Sequence, residues 1–85
     1  ELAEPWNNLA VLYASQGRLK AAEEALDSAL RIDPHYATAL ENLGDVRLRR
    51  AQQAYARSRE AGNKAARVEH KMQTLRELLD ESTSD

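Results

Sequence analysis

The chain repeats itself. Shifted by 34 residues, Ala3 falls on Ala37, Trp6 on Leu40, Asn8 on Asn42, Leu9 on Leu43 and Ala10 on Gly44. Past Tyr13 and Arg47 that register fails. A shift of 29 then restores it, setting Ala22 on Ala51, Ala25 on Ala54, Leu26 on Tyr55 and Ala29 on Ser58. The second copy therefore lacks 34 − 29 = 5 residues at its middle. A period of this length belongs to small supersecondary units that cannot bury an apolar face alone and do so by stacking on one another. Composition says what the units are made of. Alanine (15) and leucine (12) supply 27 of the 36 hydrophobic residues. Such a chain is short of strand formers and rich in residues that lose least on entering a helix, so the fold is all-α.

The first copy reads as an antiparallel helical hairpin. Pro5 suits a first helical turn, where its missing N–H is not needed. Trp6, Leu9, Ala10 and Tyr13 follow at the spacing of one helical face. Gly17 ends that helix by adopting a left-handed conformation at little cost. Leu19, Ala22, Leu26, Ala29 and Leu30 stripe the second helix, with Asp27 and Arg31 as an i,i+4 pair outside. Asp33-Pro34 stops it, because the residue before a proline is pushed out of the α region.

In type and spacing Trp6, Leu9, Ala10, Tyr13, Gly17, Ala22, Leu26, Ala29 and Pro34 resemble the signature of the tetratricopeptide repeat. The resemblance covers residues 3–36 completely and 37–61 in part. It implies an α-solenoid type of fold in which Ala10 and Ala22 let two helices approach closely. Trp6, Tyr13 and Leu26 would fill the space beside them, and Ala29 would seat the next repeat's first helix.

The second copy departs from that pattern, because its missing residues are those that would hold the turn glycine. Nothing punctuates Ala37 to Ala61, where Gly44 is expected to serve packing. The expectation is one continuous helix over 37–61, about 37 Å long, whose far half projects past the first hairpin. Gly62 and Asn63 would form the next break, as C-terminal stop and following N-cap. A capping helix over 63–80 would present Ala65, Val68, Met72, Leu75 and Leu79 as a narrow seam for one partner helix. Residues 81–85 read as a polar tail, and the whole chain as a single domain.

Charge is blocky: residues 1–45 carry −5, residues 46–76 carry +7 and residues 77–85 carry −4. Opposed blocks suggest parts that attract each other or a second copy, and not a general nucleic-acid binder, which would be basic overall. With no cysteine there is no disulfide, thiolate metal site or cysteine nucleophile. His35 and His70 lack the spacing of a metal pair or a general base with partners, and three glycines cannot build a phosphate-cradling loop. The reading is no enzyme, no cofactor, no small-molecule substrate, no metal and no membrane span. Opening at Glu1 without a leader, the chain reads as a segment of a longer protein. The resemblance extends to bacterial proteins, some of them envelope-associated, and leaves the compartment open between cytoplasm and envelope.

Function is then expected in binding. In tetratricopeptide arrays the first helix of each repeat lines a concave face. Carried over, that face is Asn7, Asn8, Val11, Ala14 and Ser15 in the first copy, and Thr38, Glu41, Asn42, Asp45 and Arg49 in the second. Asn8 and Asn42 occupy matching positions, and an amide there can give and take hydrogen bonds with a peptide backbone. Glu41 and Asp45 favour a basic or neutral segment. The carboxylate clamp of some family members is absent, since Asn7 and Val11 stand where it needs Lys and Asn. The first reading is thus a module for a protein or peptide partner. The alternative is a homodimer through Ala51, Ala54, Tyr55 and Ser58, because shortening a hinge invites exchange of the element with a second copy. The third is nucleic-acid contact through Arg47, Arg50 and Arg57, set against a solvated face answering acids elsewhere.

Overall fold

A computed structural model describes residues 2–62 and 66–83. Four helices follow in order: α1 (Glu4–Ser15), α2 (Leu19–Ile32), α3 (Ala37–Glu60) and α4 (Ala66–Thr83). The chain forms two compact units, Glu1–Arg47 and Leu48–Asp85, so the division falls inside α3. All described regular structure is helical, as the alanine- and leucine-rich composition requires.

The α1–α2 turn is built from Gly17. Its φ is +75°, a conformation that costs an L-residue with a Cβ roughly 1–2 kcal/mol. The Gly17 N–H donates to the Ala14 carbonyl (3.0 Å) and the Arg18 N–H to the Tyr13 carbonyl (2.9 Å). Those two bonds are the pattern that satisfies the orphan carbonyls of a helix end with a left-handed residue just past it. An apolar side chain usually follows to pack on the last turn. Here Arg18 does so with its guanidinium, which lies 4.5 Å from the Tyr13 ring centre.

The α2–α3 turn uses different chemistry. Asp33 is extended (φ −134°, ψ 94°) ahead of Pro34. Its Oδ1 accepts the His35 N–H at 3.1 Å, and its carbonyl accepts the Tyr36 N–H at 3.2 Å. The expected Asp27–Arg31 pair is replaced by a local one, in which Arg31 Nη2 donates to Ser28 Oγ at 3.0 Å.

The first unit's core is Ala10, Leu19, Ala22, Ala25, Leu26, Ala29, Ala39, Leu43 and Val46. Five of the nine lie on α2, which meets α1 on one side and the first half of α3 on the other. A helix with two neighbours needs a wide apolar arc, and Ala25 extends the sequence stripe to supply it. Five of the nine are alanines, so the backbones approach closely and the bulk comes from Leu19, Leu26, Leu43 and Val46.

Trp6 departs from its expected place. It is 37% exposed, and the buried line of α1 runs instead through Asn7 and Ala10, flanked by Ala3 and Ala14. The contact face of α1 is the one small enough for close packing. The larger Trp6, Leu9 and Tyr13 are set to its edge.

α3 runs unbroken for 24 residues, through the stretch where the first copy has its glycine turn. Gly44 is not a packing residue. It is exposed, and a Cβ added there would meet nothing within 4 Å. Gly44→Ala should therefore raise stability by about 0.5–1 kcal/mol, since glycine mid-helix costs backbone entropy. Gly17→Ala should lower it by roughly 1–2 kcal/mol, although a Cβ there also meets open space. Paired urea titrations read both signs, and equal shifts at the two glycines would contradict this assignment.

In the second unit α3 ends with the Ala61 N–H on the Arg57 carbonyl (2.9 Å) and Gly62 at φ +109°. The N-cap expected at Asn63, and Lys64 and Ala65 of the capping helix, lie outside the described residues. On α4, Val68 and Met72 are buried while Leu75 and Leu79 are half-buried, which is the seam expected from spacing. Lys71 Nζ sits 5.6 Å from the Tyr55 ring centre, and Arg59 Nε is 2.9 Å from Glu69 Oε1. That ion pair is half-exposed on both sides and contributes little. α4 continues to Thr83, into the segment read as a tail, because neither Gly nor Pro follows Asp80 to stop it.

Candidate functional site

The first unit brings α1 and α3 together at a pair of amides. Asn42 Nδ2 donates to Asn7 Oδ1 at 3.0 Å. Asn7 is 5% exposed and is the one buried polar residue among those described. This corrects its assignment to an open ligand face. Ala3 and Ala10, one turn to either side, let α3 come close enough to cover it, and a buried amide needs the partner that Asn42 supplies. Ala14 is likewise drawn against the core.

The 34-residue shift had matched Asn42 with Asn8, but Asn8 is exposed and Asn42 bonds its neighbour Asn7. Around the amide pair, Asn8, Val11, Thr38 and Glu41 are exposed and Asp45 is half-buried. Val11 shows 52% of its surface. Ser15 is exposed, but its Oγ donates to the Leu12 carbonyl at 2.6 Å, so its proton is already used. Arg49 falls in the second unit, where it has an interaction of its own.

α1 and α3 are separated by two reversals of the chain and so run in the same direction. Glu4 and Thr38 then stand one turn before the amide pair, and Val11 and Asp45 one turn after it. Glu4 was missed from sequence. The signal for it was present: it lies three residues ahead of Asn7 and shares its side of the helix.

The chemistry this arrangement offers is hydrogen bonding. An asparagine has two N–H donors and a carbonyl acceptor. One Asn42–Asn7 bond leaves donors and acceptors on both amides. Asn42 is half-buried and keeps its unused groups at the surface, whereas Asn7 is covered. No group of three or more His, Asp or Glu among the described residues comes together to hold a metal.

Residues 3–36 match the family described as tetratricopeptide repeat. That match covers 34 of the 85 residues. No curated protein and no solved structure matches the chain. Tetratricopeptide repeats mediate protein–protein interaction and are not a catalytic family. That agrees with a site made of amides, an exposed valine and carboxylates.

Beyond the repeat, the second unit holds the residues read as a self-association stripe. Ala51 and Tyr55 line a shallow cavity with His70, Lys71, Thr74 and Leu75 of the chain's own α4. Ala54 is exposed, and Ser58 is half-buried with an interaction of its own. Of the arginines read as nucleic-acid contacts, Arg47 is paired within the first unit, its Nε 3.1 Å from Glu23 Oε1 on α2. No described helix is long and apolar enough to cross a membrane.

Proposed function

We propose that the tetratricopeptide unit binds a peptide or helical segment of another protein across the face where α1 meets α3. The observation that carries this reading is the Asn7–Asn42 bond, which fixes the half-buried Asn42 amide, with donor and acceptor capacity to spare, beside exposed Val11. A segment laid there meets groups that can read its backbone and an apolar surface that rewards a side chain.

The contributing residues are Asn8, Val11, Thr38, Glu41, Asn42 and Asp45, with buried Asn7 holding Asn42 in place. Self-association through the second unit is the weaker alternative, because α4 of the same chain already holds Tyr55.

Panning a random peptide library on the immobilised protein tests the reading. Selected peptides should lose at least about tenfold in affinity to Val11→Glu and to Asn42→Ala, each a loss on the order of 1.4 kcal/mol. They should bind Tyr55→Ala as well as the parent. Peptides that lose affinity to Tyr55→Ala and not to Val11→Glu would move the site to the second unit. Light scattering across a concentration series reads the alternative, whose expected mass is twice 9.5 kDa.

A further inference from the structure

We propose that a second copy of this chain covers the outer side of α1, the two α1 helices lying antiparallel across a two-fold axis. The surface is Pro5, Trp6, Leu9 and Leu12, with Leu2 just ahead of the helix, and at helical spacing these share an arc of roughly 120°. It is separate from the amide face, since Val11 stands about 160° around the helix from Leu9.

The internal repeat shows what such a stripe accommodates. A shift of 34 sets Leu2 on Tyr36, Pro5 on Ala39, Leu9 on Leu43 and Leu12 on Val46. On α3 those seats are filled: Ala39, Leu43 and Val46 are buried in the first unit's core, and Tyr36 packs against it. The helix that covers them is α2, which runs antiparallel to α3. On α1 the same seats are open. Leu2 is 76% and Leu12 54% exposed, Pro5 is exposed and Leu9 is half-buried.

Stacked units stay soluble when the outer face of an end unit is polar, and this one is not. Glu4 is the single charged residue of α1 and lies outside the arc, whereas α2 carries Lys20, Glu23, Glu24, Asp27 and Arg31. Of the six large hydrophobics exposed among the described residues, Leu2, Trp6 and Leu12 belong to this stripe. A face without charge and with a tryptophan has the composition of an interface centre.

Two features select a second copy as the occupant. Leu2, Pro5, Leu9 and Leu12 are spaced 3-4-3, which reads the same from either end. A copy turned end for end therefore sets the partner's Leu12 on Leu2 and the partner's Leu9 on Pro5, the self-complementary contact that a two-fold axis requires. With no charge in the arc, no like charges oppose each other across that axis. One helix pair is at the small end of interfaces, so the dimer is weak and forms as concentration rises.

Sedimentation equilibrium of the whole chain, from micromolar to about 1 mM, tests this. The mass should rise from 9.5 kDa toward twice that value. Leu2→Glu and Leu12→Glu, both at exposed positions, should each weaken association at least about tenfold with an unchanged helical spectrum. Leu40→Glu, exposed on α3, and Tyr55→Ala in the second unit should associate as the parent does. The chain has no cysteine, so disulfide capture reads the register. Leu2→Cys mixed with Leu12→Cys should cross-link one variant to the other on mild oxidation. Leu12→Cys alone should not, because ten residues put the two thiols about 15 Å apart along the axis.

A mass of 9.5 kDa at every concentration would overturn the proposal. So would an association that Tyr55→Ala abolishes and Leu12→Glu leaves intact, which would move the contact to the second unit. Efficient cross-linking of Leu12→Cys to itself would overturn the antiparallel packing.

Discussion

Leu26→Ala should remove about 2–5 kcal/mol of stability, the range for deleting a fully buried leucine side chain. Among the described residues Leu26 is the largest side chain that is wholly buried, at 0% exposure. Its neighbours make the loss severe. The core around it is mostly alanine, and Ala10, Ala22, Ala25, Ala29 and Ala39 have no rotamers with which to close a void. A domain of this size holds only about 3–5 kcal/mol in total, so the variant should be largely unfolded at 37 °C. Circular dichroism during a thermal scan reads it as a fall of about 4–8 °C for each kcal/mol. Leu26→Met, which conserves volume, should cost under about 1.5 kcal/mol. A Leu26→Ala midpoint within a few degrees of the parent would mean that the helices collapse onto the space, contrary to the packing described.

Most helix ends were legible because they depend on single residues with local consequences. Gly17 must take a positive φ to reverse the chain, and Asp33 is forced extended by Pro34, whatever the helices pack against. The unbroken α3 was legible for the converse reason, since nothing between Ala37 and Glu60 can stop it except a mid-helix glycine. The far end of α4 was not, because a polar run without Gly or Pro is compatible with both helix and tail.

Packing depth was less legible. Trp6 and Asn7 are adjacent on α1, and hydrophobicity alone places the tryptophan inward. What decides is the separation of the backbones, which the line Ala3, Ala10 and Ala14 makes small, leaving room for an amide and not for an indole. The internal repeat misled at the same place. Residues related by the 34-residue shift occupy equivalent seats in successive units; they do not face each other. The Asn8–Asn42 correspondence was a true equivalence, while the contact runs from Asn42 to Asn7. An asparagine with alanines at i−4, i+3 and i+7 is the sequence signal that would have found it.

That buried amide yields the second large effect, in which stability and binding should separate. Asn42→Ala deletes the donor and leaves Asn7 Oδ1 at a site 5% exposed. A buried polar group stripped of its partner costs roughly 1–3 kcal/mol, which urea titration reads as a lower midpoint at constant slope. Replacing both members, Asn7→Leu with Asn42→Leu, removes the orphan and should return stability to within about 1 kcal/mol of the parent, because exchanging both partners for apolar groups is nearly neutral. The four proteins form a double-mutant cycle, and a large coupling energy is the expected result for two residues in direct contact. The double variant should fold and yet fail to bind any peptide selected by the parent. If it unfolds, the amide pair is needed by the fold itself. If it folds and still binds, the backbone of the partner is read elsewhere. Recovered stability without binding would show that α1 and α3 can pack without their amides, and that the polar pair serves the face it opens onto.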